Sequence, residues 1–188
     1  MKKKVKTTLW VSFLVVLGAA AGVTAWSLQK TEFAFLWRNG LNGLSVKEMV
    51  EKLDRIDNEK PDLTASVTSR KLILADSFSS YDFDLPENEF YLSVAPYETT
   101  THPCSIHSLI SCSGEKTNEA FTVLVENSDT DEVILNGTYV TGEKGFLGLW
   151  LPRNVNATIT VGQDALSASG SITTFDGDPT CLTTLQLA

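Results

Sequence analysis

The sequence predicts a mainly β protein: an antiparallel β-sandwich-like domain, preceded by a short helical segment and an N-terminal hydrophobic export or anchor helix. Three observations carry this. Beyond Leu63, short runs rich in β-branched and aromatic residues recur at intervals of roughly 8–12 residues with no helical run between them, the grammar of packed antiparallel sheets. Just before them stands one capping signature followed by apolar residues at helical spacing. The first residues are basic and then apolar, as in an export signal.

The predicted strands cover 64–68, 71–74, 81–85, 90–94, 120–126, 132–140, 146–150, 157–161 and 167–175. Turn chemistry separates them at Asn127 to Asp131, Gly142 to Gly145, Pro152 to Asn154, Gly162 to Asp164 and Asp176 to Asp178. The pairs Asp129/Asp131 and Asp176/Asp178 lack the other ligands of a calcium loop and read as hairpin turns. Phe146, Leu147, Leu149, Trp150 and Leu151 read as core.

Upstream, Ser45 and Glu48 form a capping box ahead of Met49, Val50, Leu53 and Ile56, which predicts a helix over 46–56 ending before Pro61. The stretch 31–39, with Phe33, Phe35, Leu36 and Trp37, reads as a second helical or interfacial piece. It is too small for a core of its own, so it should pack on a neighbour, a membrane or a second copy of the chain in a homodimer. The organisation expected is a signal peptide or signal-anchor at 1–29, a short helical segment at 30–60 and the sandwich at 61–188.

Lys2, Lys3, Lys4 and Lys6 precede an uncharged stretch that runs to Lys30. By the positive-inside rule the remainder lies outside the cytoplasm. The segment 7–28 is long enough to cross a hydrocarbon core of about 30 Å, and Ala25 offers a cleavage point. Removing those four lysines from the 15 Lys and Arg leaves 11 basic against 23 acidic residues, a net charge of −12. So acidic a domain is a poor partner for nucleic acid and a tolerant one for cations.

Chemistry concentrates in one place. His102, Cys104, His107 and Cys112 hold both histidines and two of the three cysteines, and Cys181 is near the C-terminus. Eight residues separate Cys104 from Cys112, about 26 Å as a strand or about 12 Å as a helix. Two cysteines of one site must be far closer, so the segment has to fold back on itself. Pro103, Ser105, Ser108 and Ser111 favour such a loop. Outside the cytoplasm thiols oxidise, and three cysteines allow one bridge in three ways (104–112, 104–181 or 112–181), always leaving one thiol over. The closely spaced cysteine pairs of structural zinc sites are absent. Thiolates prefer Cu(I) and imidazole accepts Cu(II), so the set fits copper at an oxidising exterior.

These residues resemble a known family. Ala95-Pro-Tyr97, Thr101-His-Pro-Cys104-Ser-Ile-His107-Ser-Leu109 and Cys112-Ser-Gly-Glu115 are similar to the core motif of the CueP family of bacterial periplasmic or envelope copper-binding proteins. Gly145 to Arg153 and Asp178 to Leu185 resemble its two later blocks. The resemblance implies copper as the bound ion, a role in copper resistance, and reduction of Cu(II) to Cu(I) by Cys104, Cys112 and Cys181, with His107 and His102 at the histidine positions of the metal site. A thiol–disulfide oxidoreductase would be the reducing partner. Two other classes remain open: a copper chaperone or buffer without turnover, and a surface interaction module whose cysteines only staple a loop. The leader is expected to stay attached as a membrane anchor. N-terminal sequencing of the protein from its native envelope should therefore begin at the leader, and a start at Trp26 would mean cleavage and release.

Overall fold

The computed structural model describes residues 31–55 and 62–188 of the chain. The chain divides into two compact units, with the boundary between Gly43 and Leu44. In the smaller, residues 31–38 are helical (α1), matching the expected helical piece. The expected anchor helix lies outside the described residues, and among those residues no helix is long and apolar enough to cross a membrane.

The larger unit opens with helix α2 (Val46–Arg55). The capping box forms as read: the Ser45 N–H donates to Glu48 Oε2 at 2.7 Å, and the Glu48 N–H reaches back to Ser45 Oγ at 3.4 Å. Its buried face consists of Met49, Val50, Leu53 and, against expectation for an apolar stripe, Asp54.

Among the described residues eleven strands follow, in three sheets. The first has the order β3 (Ser80–Asp84), β2 (Lys71–Ala75), β1 (Thr64–Val67), β5 (His107–Ser108). The second runs β10 (Leu166–Thr173), β9 (Asn156–Gln163), β6 (Ala120–Asn127), β7 (Val133–Val140). The third runs β11 (Cys181–Leu182), β4 (Glu89–Val94), β8 (Leu147–Pro152). All nine expected strands are present to within two residues at their ends, whereas the two-residue strands β5 and β11 carry too little pattern to be read. Between the named strands the pairing is antiparallel except that β11 lies parallel to β4, with Cys181 opposite Ser93, and Tyr97 bridges Gln186 in the same sense.

The second and third sheets share one apolar core. Phe121, Val123 and Val125 of β6 and Ala157, Ile159 and Val161 of β9 meet Phe90, Leu92 and Val94 of β4 and Leu147, Leu149 and Leu151 of β8. Each set is spaced by two, as one face of a strand requires. Strand β4 differs from its neighbours because its other face is buried too, through Tyr91 and Ser93. Those polar side chains need partners, and α2 and β5 supply them.

The turn residues do what their chemistry allows. Asp131, Gly145, Asn154, Asp164 and Gly177 all have positive φ, each inside a turn predicted from composition. Gly145 has a second reason to be glycine. A Cβ there would lie 2.6 Å from Gly114 O, and one on Gly114 would lie 2.5 Å from Gly145 O. The Gly114 N–H donates to Lys144 O at 2.7 Å, so two backbones cross with no room for a side chain. That crossing fixes the 104–115 loop over the start of β8. The other end of the loop is held by Glu115, whose carboxylate accepts the N–H groups of Glu98, Thr99 and Thr100 at 3.1, 3.0 and 2.9 Å.

Gly145→Ala should lower stability by about 2 kcal/mol or more, since both the positive φ and the backbone contact oppose a methyl group. A thermal melt showing no change would refute the crossing. The donors facing Glu115, chiefly the Thr100 and Thr99 N–H groups, hold its carboxyl down at about 2, against 4.5 for a free glutamate. A depressed folded value stabilises above the unfolded one and loses its effect as the pH falls through the folded one. Glu115→Gln should thus melt below the parent at pH 6, and the gap should close between pH 4.5 and 2. A gap constant over that range would show that the charge is irrelevant.

Candidate metal centre

The segment from Cys104 to Cys112 folds back, as the eight-residue spacing demanded. His107 and Ser108 form β5 at the edge of β1, and the chain then makes a turn over residues 109–111. The Leu109 N–H donates to Ala65 O at 2.9 Å and the Cys112 N–H to Ser108 O at 3.2 Å. The Lys144 ammonium donates to Ile110 O. Thr180, one residue before Cys181, ties the C-terminal strand to this loop. Its hydroxyl donates to Val67 O at 2.6 Å and accepts the His107 N–H at 3.1 Å, while its own N–H donates to Ser105 O at 2.9 Å. Thr101 Oγ1 donates to Thr183 O at 2.6 Å, just beyond the same strand. His107, Cys112 and Cys181 are therefore carried on hydrogen-bonded backbone, and Cys104 adjoins Ser105, whose carbonyl Thr180 holds.

Four ligand atoms converge. The sulfurs of Cys104, Cys112 and Cys181 and a ring nitrogen of His107 all lie within 4.8 Å of one another. Cys104 and Cys181 are in disulfide contact, with their Cα atoms 5.6 Å apart, inside the usual span. Cys112 is the third sulfur, half-buried, 3.7 Å from Cys104 Sγ. His107 Nδ1 is 3.6 Å from Cys181 Sγ. Phe146 closes the side of the cluster, its ring centroid 4.5 Å from that of His107. Of the three bridges open to the sequence, the geometry selects 104–181.

His102 stands beside the cluster and contributes no atom to the converging four. It lines a shallow cavity of about 260 Å³ with Thr100, Thr101, Ser113, Gly114 and Glu115. Its Nε2 is buried and has no hydrogen-bond partner in the protein.

The far side of His107 is as defined as the near side. Nε2 lies 2.6 Å from Asp54 Oδ1, and both side chains are almost wholly buried. Asp54 Oδ2 accepts the hydroxyls of Tyr91 at 2.5 Å and Ser93 at 3.1 Å. Burial opposes charge on the imidazole, but the hydrogen bond to Asp54 and the Cys112 sulfur override it and raise His107 to about 9. Burial likewise opposes the Cys112 thiolate, yet His107, the Ser108 backbone and His102 bring it down to about 7. Each shift favours the charged form of its group, and the lowered thiol makes Cys112 a nucleophile and soft ligand; a metal at His107 Nδ1 would take the place of any proton there.

Sequence reasoning missed Asp54, Tyr91, Ser93 and Thr180, and it read Phe146 only as core. One signal was available for Asp54. It falls four residues after Val50, on the apolar stripe of the predicted helix, where a carboxylate has no place unless something pairs with it.

The donor set suits a soft ion. Sulfur and nitrogen donors 3.6–3.7 Å apart match the edge of a coordination polyhedron with metal–sulfur bonds of about 2.3 Å. Comparison with known proteins agrees. The family described as "Periplasmic copper-binding protein CueP" matches residues 48–186. A solved structure, the crystal structure of S.CueP, is 42% identical and superposes with a TM-score of 0.79, covering 84% of this chain and 97% of that one. No curated protein matches. The match spans the whole larger unit apart from its first few and last two residues, and the chain belongs to the CueP family of copper-binding proteins.

Proposed function

We propose that this protein works outside the cytoplasm in copper resistance, reducing Cu(II) to Cu(I) with its own thiols and then holding or passing on Cu(I). The observation that carries this is the convergence of three sulfurs and one imidazole nitrogen within 4.8 Å. The family's periplasmic placement and the basic-then-apolar leader support the compartment.

The chemistry balances as follows. Cu(II) is taken by imidazole and thiolate, at His107 Nδ1 and Cys112. Two thiolates closing to a disulfide release two electrons, and each Cu(II) takes one. Cys104 and Cys181 are the pair, because their sulfurs are already in contact. One turnover therefore converts two Cu(II) to two Cu(I). Cys112 remains as a thiolate to retain Cu(I). Being 3.7 Å from Cys104, it is also placed to attack that sulfur and free Cys181. Restoring the thiols takes two electrons from a dithiol, the role of a thiol–disulfide oxidoreductase. His102, which favours the Cys112 thiolate and keeps a buried Nε2 without a hydrogen-bond partner in the protein, is an additional donor next to the cluster. Membrane attachment through the leader and a homodimer of the helical segment belong to this proposal as well.

Mixing the fully reduced protein with excess Cu(II) without oxygen should yield about two Cu(I) per chain and one mapped disulfide. Mass mapping should place it between Cys104 and Cys181. Cys104→Ser and Cys181→Ser should each lose that bridge and most of the yield, whereas Cys112→Ser should keep the yield and release Cu(I) to a chelator. His107→Ala should weaken Cu(II) capture more than it lowers electron yield. Copper binding without Cu(I) formation would leave a carrier and remove the reductase. If all three serine variants behaved like the parent, the thiols would be bystanders.

A further inference from the structure

Asp54 has no part in the thiol chemistry, yet it is the acidic member of an otherwise apolar helix face. It is 3% exposed, and both of its oxygens are used. Oδ2 receives two hydroxyls, from Tyr91 and Ser93. Oδ1 faces His107 Nε2 at 2.6 Å. A carboxylate offers only acceptors, so the nitrogen opposite it must carry the hydrogen. An imidazole whose Nε2–H is held has only Nδ1 left as a lone-pair donor, and Nδ1 is the atom that points at the sulfurs. From this arrangement we infer that Asp54 is a positioning residue for copper: it holds the Nε2 proton and the ring's rotation so that His107 presents Nδ1 to the three-sulfur cluster. This inference rests on the copper chemistry proposed above.

The surroundings are built to keep Asp54 in that pose. A Cβ on Gly148 would lie 2.1 Å from the Tyr91 hydroxyl, so the bare backbone of β8 is what lets Tyr91 reach the carboxylate. The Ser93 side of β4 lies opposite Cys181 on β11, so one strand pair carries both a carboxylate anchor and a copper-facing sulfur. A ligating histidine held by a carboxylate through its other nitrogen has its tautomer chosen for it, and loss of such a partner costs metal affinity about 10–100-fold.

Asp54→Asn is the decisive variant. The hydroxyls of Tyr91 and Ser93 both need an acceptor, so the Asn oxygen turns toward them and its NH₂ toward His107. That NH₂ donates to Nε2 and drives the hydrogen onto Nδ1, taking the ligand atom away from copper. The chain has just two histidines, so long-range ¹H–¹⁵N spectra of the Cu(I)-loaded protein resolve both rings. The parent should show His107 protonated at Nε2 and metal-shifted at Nδ1. The variant should show hydrogen on Nδ1, no metal shift, and Cu(I) affinity weaker by about 10–100-fold in chelator competition. A parent spectrum with copper on Nε2, or on neither nitrogen of His107, would overturn the inference even if Asp54→Asn failed to fold. So would a folded variant with the parent's spectrum and affinity. Failure of the parent to bind Cu(I) at all would instead strike the proposed function, and the two failures are read from separate measurements.

Discussion

A buried carboxylate organises this molecule. Left unpaired in the interior, Asp54 would cost several kcal/mol, and the fold tolerates it because three donors converge on it. Those donors come from β4, which supplies Tyr91 and Ser93, and from β5, which supplies His107. Helix α2, the central strand of the third sheet and the edge strand of the first are thereby joined at one point. An apolar contact would hold the same elements together without fixing their rotation. A hydrogen-bonded carboxylate is directional, so the ring of His107 arrives at the sulfurs with one defined edge.

The sulfur side depends on a different kind of constraint. The cysteines reach the centre from three places: the entry to β5, the turn after it, and the C-terminal strand β11. Loops of this length would ordinarily wander, but each is tied by backbone. Thr180 clasps β11 to the loop, Gly114 crosses Gly145, and Glu115 holds the N–H groups of residues 98–100. Backbone that holds Cys104 and Cys181 at bonding distance leaves little rearrangement between the dithiol and the disulfide.

Much of the fold could be read from the sequence because its signals are local. Alternating runs located the nine longer strands, and turn composition located the positive-φ residues Asp131, Gly145, Asn154, Asp164 and Gly177 but not Asn118. The capping box marked the start of α2 within one residue of its observed position. The short strands β5 and β11 were invisible, since two residues hold no period, and so was the parallel pairing of β11. At the site, the legible part was the set of residue types crowded between His102 and Cys112. The resemblance to a known family turned that crowding into copper. The bridge pairing was not legible because it depends on where a distant strand ends. Asp54 was missed because its partners are 37 to 53 residues away in the chain. No spacing rule connects such positions, and only the breach of the apolar stripe pointed to it.

Ligand type alone does not separate copper from zinc at this centre, because three thiolates and an imidazole are also a complete zinc set. Under the proposed chemistry the distinction comes from redox. Zinc has no electron to accept, so it could occupy only the fully reduced centre. On that proposal Cu(II) would oxidise the Cys104–Cys181 pair as it arrives, and one thiolate and one imidazole would then remain at full donor strength. That pair is too few for a structural zinc site but still offers a soft sulfur to Cu(I). The oxidised centre, in which Cys104 and Cys181 are joined and Cys112 is the remaining thiol, would under this proposal be the state that favours monovalent copper. Selectivity then follows from the order of events, capture before oxidation and retention after it, with the Asp54-held imidazole as the one nitrogen donor common to both stages.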